Sequence, residues 1–442
     1  MTTYTMDSSS VSDVRVKTDA AFPTIVALLF ALVYTQGYIE RIGVSSSIVR
    51  MTIEIPVLMI LMHLINRGVR QFPPGFFLIT LYVIWTVVSA VFNRDGLGNA
   101  LLYCRYVVYA YIVFAAVWST PLTRTAVTRI GVVIAFLFIF QIVASAHEAF
   151  VRGERIEAHV GALYADGGAL ATEFPLLAMG LTVPFYFFYR RNVLLLVLSW
   201  AFLLVGYASG KRAIYLLGPL LYFFILAWHV ARVRTVNALR QSLWAVLVSI
   251  CFIPLFFAGI SRSHGISERH SRSALERVAY VVNVAVGYTT AERQGGRTTG
   301  RTATNRRVLS TLWSATGETV LFGWGPSAKR IGEDERYEAL MITYGICGWA
   351  QDVICIGWPG MLIYVLFHLY MFLRLRSCPP PRHSGYWMAL RFGAEIGFVV
   401  MLISHISYSS SFTTCGHLSY VYFFVLALLM SPQHRHLVQS AS

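Results

Sequence analysis

Thirty-three arginines against three lysines (Lys17, Lys211 and Lys329) are the first chemical feature of this 442-residue chain. A guanidinium presents a flat fork of N–H donors that matches phosphate or carboxylate oxygens two at a time, and it stays charged at any ordinary pH. A GC-rich genome produces the same excess, so composition alone leaves both explanations open. Lys211 and Arg212 are adjacent cations, and Arg269 and Arg272 flank His270. Groups able to take a proton from a hydroxyl are fewer: Asp352, Glu173, Glu338, His159, His264 and His270. Six cysteines are scattered without a CxxC pair, which argues against redox or zinc chemistry. No Walker sequence, GxGxxG turn or HExxH pair occurs, which disfavours an ATPase, a nucleotide-binding enzyme or a zinc protease. No cofactor, metal or nucleic-acid partner is expected.

The elements that must position these groups follow from hydropathy. Apolar residues make up 56% of the chain and charged residues only 13%, and the mean hydropathy is +0.61. That balance excludes a soluble enzyme, a disordered chain and a secreted disulfide scaffold. Apolar runs long enough to cross a bilayer predict about twelve spans, near 21–38, 49–66, 75–93, 100–117, 130–146, 168–188, 193–208, 213–228, 243–260, 345–373, 392–409 and 418–431. The expected fold is an all-α polytopic membrane protein. Its parts are an N-terminal tail (1–20), spans one to nine (21–260), a large loop (261–342), spans ten to twelve (343–431) and a C-terminal tail (432–442).

Charge sets the orientation. With both termini inside, the inner short loops hold thirteen arginines, and the outer short loops hold six basic residues, namely Arg41, Arg94, Arg152, Arg155, Lys211 and Arg212. Lys211-Arg212 therefore runs against the trend, at a tight outer turn. The large outer loop has 82 residues, twelve of them basic and eight acidic, and loops of that length are usually functional. Within it, residues 305–316 have helical spacing, with Val308, Leu312 and Ala315 on one face. The loop is expected to be partly helical and packed over the outer face.

Ionisable side chains inside spans are costly and often functional. Arg105 and Glu173 are expected at similar depth near the outer side, where they would pair and brace a site. Glu54 and Glu395 are expected toward the inner half, partnered with Arg50 and Arg391.

Four stretches, in order, resemble the O-antigen polymerase and O-antigen ligase superfamily of bacterial envelopes. They are Arg155-Ile-Glu-Ala-His-Val-Gly161 continuing into Ala169-Leu-Ala-Thr-Glu-Phe-Pro175, and Ala208-Ser-Gly-Lys-Arg-Ala213. The third is Arg306-Arg307 with Trp313 and Leu321-Phe-Gly-Trp-Gly325, and the fourth is Gln351-Asp352 with Ile356-Gly-Trp-Pro-Gly360. The ligase branch carries a His-Asn pair before the last stretch, where this chain reads Ile346-Cys347-Gly348. That departure favours the polymerase branch.

The resemblance implies a GT-C-like membrane glycosyltransferase in the bacterial inner membrane. It would join polysaccharide repeat units (O-antigen, capsule or exopolysaccharide) carried on undecaprenyl diphosphate at the periplasmic face, without metal, beside a chain-length-regulating copolymerase. Arg155, Lys211, Arg212, Arg269, Arg272, Arg306 and Arg307 are then the candidates for the diphosphate and glycan, with Asp352 preferred as base and His270 and Glu173 next. The alternatives are a ligase transferring glycan to lipid A core and a transporter of lipid-linked glycan.

Overall fold

The computed structural model describes residues 21–68, 71–148, 162–163, 170–208, 212–252, 276, 301–314, 317–329, 346–378, 384–407 and 416–434. The N-terminal tail, most of the C-terminal tail and most of the large loop lie outside that set. Fourteen α-helices and no strand occur among the described residues. In chain order they are α1 (Ala21–Arg41), α2 (Ser46–Arg67), α3 (Phe76–Phe92), α4 (Leu97–Ser119), α5 (Arg124–His147), α6 (Leu170–Phe188) and α7 (Val193–Ala208). There follow α8 (Arg212–Val233), α9 (Val236–Ile250), α10 (Arg301–Ser314), α11 (Gly317–Phe322), α12 (Gly348–Ser377), α13 (Gly385–Ser407) and α14 (Gly416–Met430).

Eight of these (α1, α2, α4, α5, α6, α8, α12 and α13) are long and apolar enough to cross a membrane, and α3, α7, α9 and α14 are shorter apolar helices. The chain is an all-α polytopic membrane protein. Helices suit that setting because each backbone donor and acceptor is satisfied within its own segment. The polar residues between apolar runs start several of them. Ser45, Thr123 and Thr235 each accept a backbone N–H of the following first turn, capping α2, α5 and α9.

Burial separates inner helices from outer ones. The apolar windows of α6 and α13 are 83% and 78% buried, against 22% for α2 and 33% for α5. The central pair packs along its length, with α14 along α4 and α12 along α3. On the rim, Met51, Ile55, Leu58, Val132 and Phe136 are exposed large apolar side chains. They face the lipid, whose tails satisfy them as a core would.

Two expected spans are shifted. The helix that covers the start of the run near 243–260 begins earlier, at Val236, because the Thr235 cap draws in polar Asn237, Arg240 and Gln241; residues 253–260 lie outside the described set. The run near 392–409 begins at Gly385, which places Arg391 inside the helix. There the Arg391 guanidinium donates to the carbonyls of Cys378 (2.6 Å) and Arg376 (3.0 Å), satisfying the free end of α12. Its Nε lies 3.5 Å from Glu395 Oε1, as expected from the sequence, and Arg232 Nη1 of α8 lies 2.5 Å from Glu395 Oε2.

In the large loop, α10 covers most of the helix expected at 305–316. Val308 and Leu312 are buried on the expected face, and Ala315 lies outside the described residues.

Candidate functional site

The site grows from a break in α12. Gly357 has φ 71° and ψ 176°, a backbone that glycine alone adopts freely, and Pro359 two residues on has no N–H to continue the ladder. Such a break frees the carbonyls before it, and neighbours meet three of them, the Ser89 hydroxyl being shared with Phe322 O. Ile354 O accepts the Trp324 N–H (2.6 Å), Cys355 O accepts the Ser89 hydroxyl (3.2 Å), and Ile356 O accepts the Trp85 indole N–H (2.8 Å).

Those donors bring the large loop onto the bundle. The turn after α11 seats on the break so closely that a Cβ on Gly357 would stand 1.9 Å from the Leu321 carbonyl oxygen. Gly323, itself at φ 67°, would place a Cβ 2.3 Å from Ile354 O. Phe322 stacks on Trp85 and on Phe92, with centroids 5.4 and 4.3 Å away, and its carbonyl accepts the Ser89 hydroxyl (2.6 Å). Farther along, Asp95 Oδ2 accepts the Ser327 N–H (2.6 Å). Upstream, the Asn305 amide accepts the Cys347 N–H (3.0 Å), pinning α10 to the start of α12. Leu321-Phe-Gly-Trp-Gly325 and Ile356-Gly-Trp-Pro-Gly360, separate in sequence, thus form one backbone-to-backbone joint.

Asp352 lies just before this joint and is 3% exposed. Its Oδ1 accepts the Tyr103 hydroxyl of α4 at 2.5 Å, and its Oδ2 is 3.8 Å from His405 Nε2 of α13. Glu173, 1% exposed on α6, accepts the hydroxyl of Ser404. The consecutive residues Ser404 and His405 of α13 therefore meet two of the carboxylates nominated from the sequence, Glu173 and Asp352. Chemically, an aspartate held by a phenol and near an imidazole can store or pass a proton. Its burial means that a substrate hydroxyl must enter the bundle or act through a neighbouring group.

Sequence reasoning missed Tyr103, Ser404 and His405. The available signal was polarity within an apolar run: His405 stands in Leu402-Ile-Ser-His-Ile406, and a buried histidine in a span invites a functional reading.

The expected brace is corrected. Arg105 is not paired with Glu173; its Nη1 lies 3.7 Å from Glu54 Oε1, and its Nη2 donates to the Tyr106 hydroxyl (2.8 Å). Both pair members are the ninth residue of their helices, α2 and α4. Glu54 therefore shares the depth of Arg105, near the end of the bundle that holds Asp352, rather than lying toward the other half with Arg50 as its partner. The packing of α2 against α4 makes this pairing, with Ser45 setting the depth of Glu54.

Among the candidate cations, Arg306 is exposed and Arg307 half-buried on α10. Arg212 opens α8. Arg155, Lys211, Arg269, His270 and Arg272 lie outside the described residues, as do His159, His264 and Glu338. Trp324, Trp349 and Trp358 are partly buried against the core, as packing residues are. Among the described residues no three His, Cys, Asp or Glu side chains converge as metal ligands would. No family model and no curated protein matches the chain.

Proposed function

We propose that this chain is a membrane glycosyltransferase of the GT-C kind that polymerises undecaprenyl-diphosphate-linked polysaccharide repeat units. In this reading the eight long and four shorter apolar helices make twelve spans, both termini face the cytoplasm, and the joint between α11 and α12 lies at the periplasmic face of the inner membrane. The observation that carries the reading is that joint. The third and fourth stretches of the resemblance meet there, beside Asp352 and directly after the helix that bears Arg306 and Arg307.

The reaction is a substitution at the anomeric carbon of the growing glycan. The hydroxyl oxygen of the incoming unit forms the new glycosidic bond, the bond to the diphosphate oxygen breaks, and undecaprenyl diphosphate departs with the electron pair. The hydroxyl proton passes to a base: Asp352 is preferred, with Glu173 and His270 as the other candidates. Arg306, Arg307 and Arg212, with Arg155, Lys211, Arg269 and Arg272, hold the charge that develops on the departing diphosphate.

Proteoliposomes containing the purified chain and lipid-linked repeat units test the reading. A ladder of lengthening glycans supports it. Transfer that appears only after lipid A core is added supports ligation instead, and movement of lipid-linked glycan across the bilayer without new bonds supports transport.

A further inference from the structure

A second polar site stands apart from the Asp352 joint. Arg50 and Glu54 of α2 and Arg105 of α4 line one pocket, with Gln36 of α1 and His417 of α14 behind them. Its cavity is small, about 30 Å³, and open on one side, so it takes a small polar head and not a whole lipid. Two guanidiniums face one carboxylate there. Glu54 stops 3.7 Å from Arg105, beyond direct hydrogen-bond contact, and the Nε of Arg50 and of Arg105 are buried without a hydrogen-bond partner among the described residues.

The flanks of the pocket are apolar and outward-facing. Met51 and Ile55 follow Arg50 and Glu54 on α2, Leu101 stands one turn before Arg105 on α4, and the three are 66%, 56% and 61% exposed, so lipid-facing side chains border the pocket's charged residues. An unbalanced cation beside lipid is costly unless an anion meets it. The fork geometry of guanidinium selects phosphate oxygens, and the apolar flanks select a ligand that brings its own hydrocarbon.

We propose that this pocket binds the phosphate of a membrane lipid, held between Arg50 and Arg105, with the lipid chain lying along Met51, Ile55 and Leu101. Glu54 fixes Arg105 and limits the net positive charge. The inference rests on the charge balance of the pocket and is independent of glycosyl transfer.

The test uses the full chain purified in detergent and native mass spectrometry, titrated separately with phosphatidylglycerol, undecaprenyl diphosphate and phosphate-free diacylglycerol. At least one phosphate lipid should bind saturably, and diacylglycerol should not. Arg50→Gln should weaken that binding about tenfold, the scale of one lost charge-assisted hydrogen bond. Glu54→Gln should tighten it, because the cation surplus grows. A purely structural ion pair predicts the opposite for Glu54→Gln, a less stable protein with unchanged lipid binding. Retention of phosphatidylglycerol alone identifies a bilayer phospholipid as the source, and retention of undecaprenyl diphosphate alone identifies a prenyl carrier. Equal binding of diacylglycerol, or phosphate-lipid binding indifferent to both substitutions, overturns the proposal.

Discussion

The Tyr103 hydroxyl donates to Asp352 Oδ1 across 2.5 Å and ties α4 to α12 inside the bundle. Two roles for Asp352 separate on this bond. If its carboxylate takes the acceptor proton, Asp352→Asn lowers turnover by about 10²–10⁴-fold while the protein still folds. Tyr103→Phe should keep most of the turnover and lose about 1.5–3 kcal/mol of stability, the scale of one hydrogen bond to a charged group. Thermal unfolding in detergent beside a polymerisation assay reads both. Equal losses of activity and of folded protein in the two variants would assign Asp352 to structure alone.

Gly357→Ala should unseat the large loop. The added Cβ meets the Leu321 carbonyl oxygen at 1.9 Å, in a backbone region closed to alanine. The dihedral strain alone amounts to about 1–3 kcal/mol. Limited proteolysis should show faster cleavage near α11 and the following turn, with the melting temperature lowered. Unchanged proteolysis would mean that the joint is looser than described.

Glu395 is buried between Arg232 and Arg391. Glu395→Gln leaves two guanidiniums facing each other without an anion and should cost about 3–5 kcal/mol. Arg232→Gln should cost less, because Arg391 still balances the carboxylate. Denaturation of both variants in the same detergent gives the order.

Arg306 is exposed on α10 and Arg307 half-buried beside it. Arg306→Ala and Arg307→Ala should leave the melting temperature within a degree or two, and turnover should fall by about 10²–10³-fold if their forks meet the departing diphosphate. Arg212→Ala should behave likewise in an enzyme and be tolerated in a transporter.

The helices were legible because a bilayer demands long apolar runs, and the runs name themselves. Partners were not. Arg105 was expected beside Glu173, since both stand near the start of their spans, but depth does not say which helices are neighbours, and α4 lies against α2. The glycines of the joint were visible as letters, whereas their meeting depends on how α11 folds back over α12. His405 was hidden because a single histidine barely lowers the hydropathy of its run. Its polarity within the run was a signal, but only Asp352 across the helix interface gives it a partner.

The most direct test of the central claim is to count products from the purified chain in proteoliposomes supplied only with undecaprenyl-diphosphate repeat units, without nucleotide or metal. Glycan lengthening with one undecaprenyl diphosphate released for each new glycosidic bond is the predicted result. Intact lipid-linked units with no lengthening, from a protein that remains folded, would contradict it.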